Sequence, residues 1–142
     1  MNRRLLTALS RAHVALYRTS GGRLGGRIRS GAPVLLLTTT GRKSGKQRTT
    51  PLLYLVDAGR YVVIASVGGA PKHPAWYLNL LASPAATIEV GRRKLAVSAS
   101  TASAEERARL WPLAVQIYPG YNDYQARTSR EIPVVILAPG AA

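Results

Sequence analysis

The chain has 142 residues, 46% of them hydrophobic, which makes it one domain-sized unit able to enclose a core and excludes a wholly disordered chain. It contains no cysteine, so disulfides, thiolate metal sites and cysteine nucleophiles are excluded, and a reducing, cytoplasmic setting fits. Twenty Lys+Arg against six Asp+Glu give a formal net charge of +14, a field that concentrates anions and leaves nucleic acid, anionic lipid and a phosphorylated cofactor as candidate partners.

The bias is steepest at the start, where eleven cations precede the first acid, Asp57. Residues 3–18 predict an amphipathic helix. At ~100° per residue Leu5, Leu9, Ala12 and Leu16 fall on one face and Arg4, Arg11 and Arg18 on the opposite one. Such a helix either packs its leucines on the domain with the arginines in water, or lies on an anionic membrane. Residues 1–30 are therefore the segment expected to make any peripheral membrane contact. No apolar run reaches the roughly 20 residues of a membrane span. Nor is a signal peptide expected, because Arg11 and His13 break the first apolar stretch after about six residues, short of the ~7–15 needed.

The segment SGGRLGGRIRSG (20–31) holds five glycines and three arginines and reads as a basic linker between an N-terminal segment, 1–19, and a domain over 32–142. Strands follow: Pro33–Thr39, Thr50–Val56, Tyr61–Val67, Ala86–Val90, Lys94–Ser100 and Pro133–Ala138. Turns at Asp57-Ala58-Gly59 and Gly91-Arg92 make two hairpins. The runs PVLLL and YVVIA are too continuously apolar for a sheet with one wet face, so cover on both faces is expected. Helices are predicted over Pro74–Leu81 and Ser103–Ile117, the second opened by the capping box Ser103-Ala104-Glu105-Glu106. Without βαβ alternation, a mainly β, small antiparallel barrel with flanking helices (α+β) is the expected architecture.

Three segments carry candidate chemistry. TTTGRKSGKQRTT (38–50) packs six hydroxyls, four cations and two glycines between two strands. Arg42 and Arg48 can bind phosphate or carboxylate bidentately, with Lys43 and Lys46 as point charges. It is not a P-loop, because Lys43 does not close a GxxxxGK[ST] pattern. SVGGAPKHPAWYLN (66–79) has a glycine pair that lets backbone approach a ligand and Trp76 at a helix start, where it serves either the core or a ring-binding wall. His73 has no second ligand at metal spacing, so no metal site is expected. YPGYNDY (118–124) gathers three tyrosines on a loop or single turn, suited to a pocket for a flat molecule or to a stapled surface corner.

Together these pieces resemble the deazaflavin-dependent nitroreductase family of split β-barrel, FMN-binding-like fold. The resemblance runs through TTTGRKSGKQRTTPLLYL (38–55), IASVGGAPKHPAWYLNL (64–80), WPLAVQIYPGYNDYQ (111–125) and IPVVILAP (132–139), in order. It implies coenzyme F420, a deazaflavin with a phosphodiester and an oligoglutamate tail. It implies that Arg42, Lys43, Ser44, Arg48, Thr49, Thr50, Pro51, Leu52 and Leu53 hold the tail. Ile64, Ala65, Ser66, Val67, Ala75, Trp76, Tyr77, Leu78 and Asn79 would line the ring. Tyr118, Tyr121 and Tyr124 would close the substrate side, with Tyr121 nearest the coenzyme. Leu53 stands where some members carry an aromatic residue, so the wall is less aromatic here.

The expected reaction is hydride transfer from reduced F420 to an electron-poor acceptor, a quinone or nitroaromatic, with Ser66 and Tyr121 as hydrogen-bond donors. One rival keeps the barrel and binds FMN. The other is a non-catalytic basic protein on anionic lipid or nucleic acid. Nucleic acid is not expected, because aromatics do not interleave with the basic run 1–30 as a stacking platform requires.

Overall fold

The run Val34-Leu35-Leu36-Leu37 opens strand β1 (Val34–Thr40), and all four side chains are buried. Consecutive strand residues face opposite sides, so this burial needs cover on both faces. The computed structural model, which describes residues 3–23, 25–27, 32–66 and 72–140 and the side chains from Ser10 onward, shows where that cover comes from. Leu35 and Leu37 enter one core with Val63, Ile88 and Val135. Val34 and Leu36 enter another with Val14 and Tyr17.

The remaining strands are β2 (Gln47–Leu53), β3 (Leu55–Asp57), β4 (Arg60–Ile64), β5 (Ala85–Val90), β6 (Arg93–Thr101) and β7 (Val134–Pro139). All pair antiparallel in one sheet of order β2-β1-β5-β6-β7-β4-β3. β2 and β3 stand at opposite ends of that order yet are joined by Tyr54 alone, so the sheet curls into a split barrel. The expected single strand Thr50–Val56 is thus two strands. At the break the Tyr54 N–H donates to Pro33 O at 3.2 Å.

Helix α2 (Ala75–Ala82) sends Trp76, Tyr77 and Leu80 into the inner core. On the outer face α3 (Ala104–Ile117) and α4 (Gly120–Ala126) cover Val62, Ile64, Val134 and Ile136 with Leu110, Ala114 and Tyr121. The α3 cap is as predicted, with Ser103 Oγ accepting from the Glu106 N–H at 3.2 Å. α4 occupies what reads in sequence as a loop or single turn.

Helix α1 (Arg3–Ser20) forms over the predicted range but docks on an unpredicted face. Val14 and Tyr17 are buried against Val34, Leu36 and Leu53, whereas Ala12 and Leu16 are exposed. The reason lies far away in sequence. Tyr17 Oη accepts from the Gly91 N–H at 2.7 Å and donates to Glu89 O at 3.2 Å, fixing the helix by its tyrosine edge. After α1, Gly22 N–H donates to Tyr17 O and Val34 N–H to Gly26 O, drawing residues 25–27 against β1.

Candidate functional site

The β1–β2 hairpin closes on a glycine-dependent loop. Gly41 N–H donates to Lys46 O and Gly45 N–H to Gly41 O, both at 2.8 Å. Gly45 holds φ +71°, the left-handed region that favours glycine, and a Cβ on Gly41 would meet Ser44 Oγ at 2.6 Å. The loop therefore stays tight while Arg42, Lys43 and Arg48 remain exposed.

Its position is set by Asn79 of α2, which is buried. Asn79 Oδ1 accepts from the Arg42 N–H at 3.0 Å, and its Nδ2 donates to Thr39 Oγ1 at 3.1 Å. The loop, α2 and α1 together enclose an open groove of about 1140 Å³. Arg11, Arg18, Arg42, Lys43 and Arg48 line it, and among the described residues no carboxylate does. Among the described residues the side chains of Arg11, Arg42, Lys43 and Arg48 have no hydrogen-bond or ion-pair partner. Arg18 is paired outside the groove lining, with Glu89 at 2.8 Å. Unpaired cations converging on one concave surface make a site for a polyanion.

Of the sequence-predicted residues, the groove gathers Arg42, Lys43, Ser44, Arg48, Thr49, Thr50, Ala75, Trp76 and Asn79. Thr49 Oγ1 lies 2.8 Å from Thr38 Oγ1 on its floor. Pro51, Leu52 and Leu53 continue along β2, with Leu52 on the inner core and Leu53 on the outer ones. Tyr77 turns into the inner core, where its hydroxyl meets Thr101 Oγ1 at 2.8 Å, and Leu78 is half-buried beside it.

Tyr118, Tyr121 and Tyr124 form a second cluster, away from the groove lining. Tyr118 Oη and Tyr124 Oη share a hydrogen bond of 2.8 Å, and the Tyr121 ring packs edge-on to both. Tyr121 is buried, and that burial holds its phenol protonated well above the usual tyrosine range. Among the described residues its hydroxyl has no hydrogen-bond partner. It faces a small apolar cavity with Leu53, Tyr54 and Ile64. Tyr54, Leu55 and Ile117 are shared between that cavity and an outer apolar slot of about 430 Å³.

Ile64 and Ala65 are buried at the end of β4, and Ser66 follows them. Arg130 clamps this end: Nη1 donates to Ala65 O at 3.2 Å and Nη2 to Ser66 O at 2.7 Å. Arg130 Nη1 also lies 3.1 Å from His73 Nδ1. Burial first, and the Arg130 charge second, lower the His73 pKa, so the neutral ring accepts this bond. Val67 lies outside the described residues. No group of side chains able to hold a metal ion occurs among the described residues.

The chain matches, over residues 9–139, the family described as F420H(2)-dependent quinone reductase. It belongs to that family. As a member, it is 43% identical over 140 residues to F420H(2)-dependent quinone reductase Rv1261c of Mycobacterium tuberculosis, covering 96% of this chain and 94% of that one. Its fold is similar to the structure of an F420-H2 dependent reductase, FDR-A, with TM-score 0.69 and 46% identity over 74% of this chain and 93% of that one. A heme binding protein from Mycobacterium smegmatis, 18% identical with TM-score 0.59 over 83% of this chain and 49% of that one, shares the barrel fold alone.

Within this quinone reductase family member, several residues that shape the groove and the end of β4 escape sequence reasoning. Arg130 and Glu89 act across 57 and 71 residues of chain, and no local pattern marks such pairings. Arg11 and Arg18 do carry a signal, their common helix face, but the sequence assigns that face to water rather than to the groove.

Proposed function

We propose that the basic groove holds the anionic tail of coenzyme F420 in an F420H2-dependent quinone reductase. The observation that carries this reading is the groove's donor set, in which exposed guanidinium and ammonium groups, threonine hydroxyls and no carboxylate converge. That chemistry fits a phosphodiester followed by several carboxylates. Arg42, Lys43 and Arg48 would hold the tail, Thr49, Thr50 and Ser44 would add hydroxyl donors, and Trp76 would pack against the ring.

When bound, F420H2 supplies a hydride, which a quinone takes up with one proton to give the hydroquinone. The chain's task is to bind, orient and donate hydrogen bonds. Tyr121, kept protonated by burial and left with an unclaimed hydroxyl, is suited to donate to an acceptor oxygen, and Ser66 is its proposed companion. The apolar walls of Tyr54, Leu55 and Ile117 suit a hydrophobic quinone. Nitroaromatics are acceptors of the same electron-poor class.

Membrane contact is part of the proposal. Ala12 and Leu16 are exposed on α1, and in the sequence their helical face also carries Leu5 and Leu9 opposite the arginines, which is the pattern of an interfacial helix. No helix among the described residues is long and apolar enough to cross a membrane.

Single-turnover oxidation of bound F420H2 by a quinone, followed as the return of the deazaflavin absorbance, tests the enzyme reading. Wild type is expected to react, and Tyr121→Phe to bind the coenzyme normally while reacting about 10²–10³-fold more slowly, as when one donor to developing charge is lost. No reaction in wild type across several quinones would overturn the reading. Equal rates would remove Tyr121 as a donor.

A further inference from the structure

Helix α1 docks by the boundary between its two faces, and this has a chemical result. With Val14 and Tyr17 buried, Leu16 turns outward on one flank while Arg11 and Arg18 line the groove on the other. Arg11 and Arg18 are seven residues apart, two helical turns on one face. Both line the groove together with Arg42 and Lys43 of the hairpin loop and Arg48 of β2.

The two arginines are held differently. Arg18 grips Glu89 of β5 through Nε and Nη2, at 3.0 and 2.8 Å, and its Nη2 lies 3.4 Å from Thr49 Oγ1 on the groove floor. Its charge is spent on fixing the helix to the sheet. Arg11 is exposed, and among the described residues it has neither an ion-pair nor a hydrogen-bond partner. A solvated basic face would point away from the fold, whereas this one borders the groove of about 1140 Å³.

We propose that α1 is the second wall of the coenzyme-tail site, with Arg11 binding an anionic group of the tail and the Arg18–Glu89 pair positioning the wall. This rests on the reading of the groove as the tail site and extends it to a part of the chain outside the barrel. The tail is gripped between loop and helix, so the affinity it contributes depends on a helix that the barrel alone lacks.

The test compares F420 with its tail-less deazaflavin chromophore, titrated into the full chain by fluorescence, for wild type, Arg11→Ser and Arg11→Glu. Arg11 is exposed, so the variants are expected to fold, and their circular dichroism is recorded alongside. Wild type should prefer F420. Arg11→Ser should bind F420 about tenfold more weakly, the scale of one lost charge-assisted bond, and Arg11→Glu more weakly still. Neither variant should change affinity for the tail-less chromophore. Hydrogen exchange over residues 10–20 should slow with F420 and not with the chromophore. Wild-type preference for F420 with unchanged affinity in both variants would overturn the role of α1. A wild type that binds both ligands equally would instead overturn the tail site itself.

Discussion

Asn79 Oδ1 accepts the backbone N–H of Arg42 at 3.0 Å, which ties the first cation of the hairpin loop to the helix that carries Trp76. The same side chain donates to Thr39 Oγ1, so a buried amide joins β1, the loop and α2. Groove wall and groove floor are thereby set in one register. Asn79→Ala removes both bonds and is expected to cost about 1–3 kcal/mol of stability. It should also weaken F420 binding, although it removes no charge. Denaturant unfolding and coenzyme titration check both. Unchanged unfolding would show that the tie does not hold the loop.

Arg130 offers a matching prediction at the end of β4. Its guanidinium spans Ala65 O, Ser66 O and His73 Nδ1, a fork geometry that lysine cannot reproduce. Arg130→Lys should therefore lose about 1–3 kcal/mol of stability despite keeping its charge. If Ser66 serves the acceptor, kcat should fall more than coenzyme affinity does. A lysine variant matching wild type in unfolding and kinetics would contradict this.

The β3–β4 turn carries a local strain that a single substitution should relieve. Ala58 holds φ 51° and Gly59 φ 77°, the paired positive values of a type I′ hairpin. Alanine disfavours that region, and Asn-Gly is the preferred pair there. Ala58→Asn is expected to stabilise the fold by on the order of 1 kcal/mol. A rise in Tm without change in coenzyme binding is the expected result.

Asp57 gives a pH dependence with a definite sign. Arg109 binds it with two bonds of 2.9 Å and Arg60 adds one of 3.0 Å. These hydrogen bonds, Arg109 first, hold its carboxyl far below the ordinary carboxylate range. A folded-state value below the unfolded one means stability that is full above about pH 3.9 and lost as the pH falls through the folded value. The Tm advantage of wild type over Asp57→Asn should therefore be constant near neutrality and shrink below about pH 4. An advantage that persists unchanged in acid would show that packing, not charge, accounts for it.

What the sequence makes legible is local. Val34–Leu37 announces a strand covered on both faces, and Ser103 announces its helix, because each depends on near neighbours. The basic loop is equally plain, since its cations and glycines are contiguous. Pro119 and Gly120 read as helix breakers, yet Pro119 sits at the N-cap of α4 and Gly120 begins it, a place where proline costs little. The docking face of α1 is hidden for a different reason. Tyr17 wins over Leu16 because its hydroxyl finds Gly91, a partner 74 residues away that no helical periodicity records. The same holds for Asn79, whose sequence position suggests a ring wall and whose amide proves to be a tie between three elements.

Parallel fluorescence titrations of the purified protein with F420 and FMN show whether the cationic groove selects a coenzyme by its extended anionic tail. The expected result is tighter binding of F420, weakened by added salt and by the double variant Arg42→Ala/Lys43→Ala, each lost contact counting for roughly 1–3 kcal/mol. FMN binding as tight as or tighter than F420, or full F420 affinity in the double variant, would contradict it.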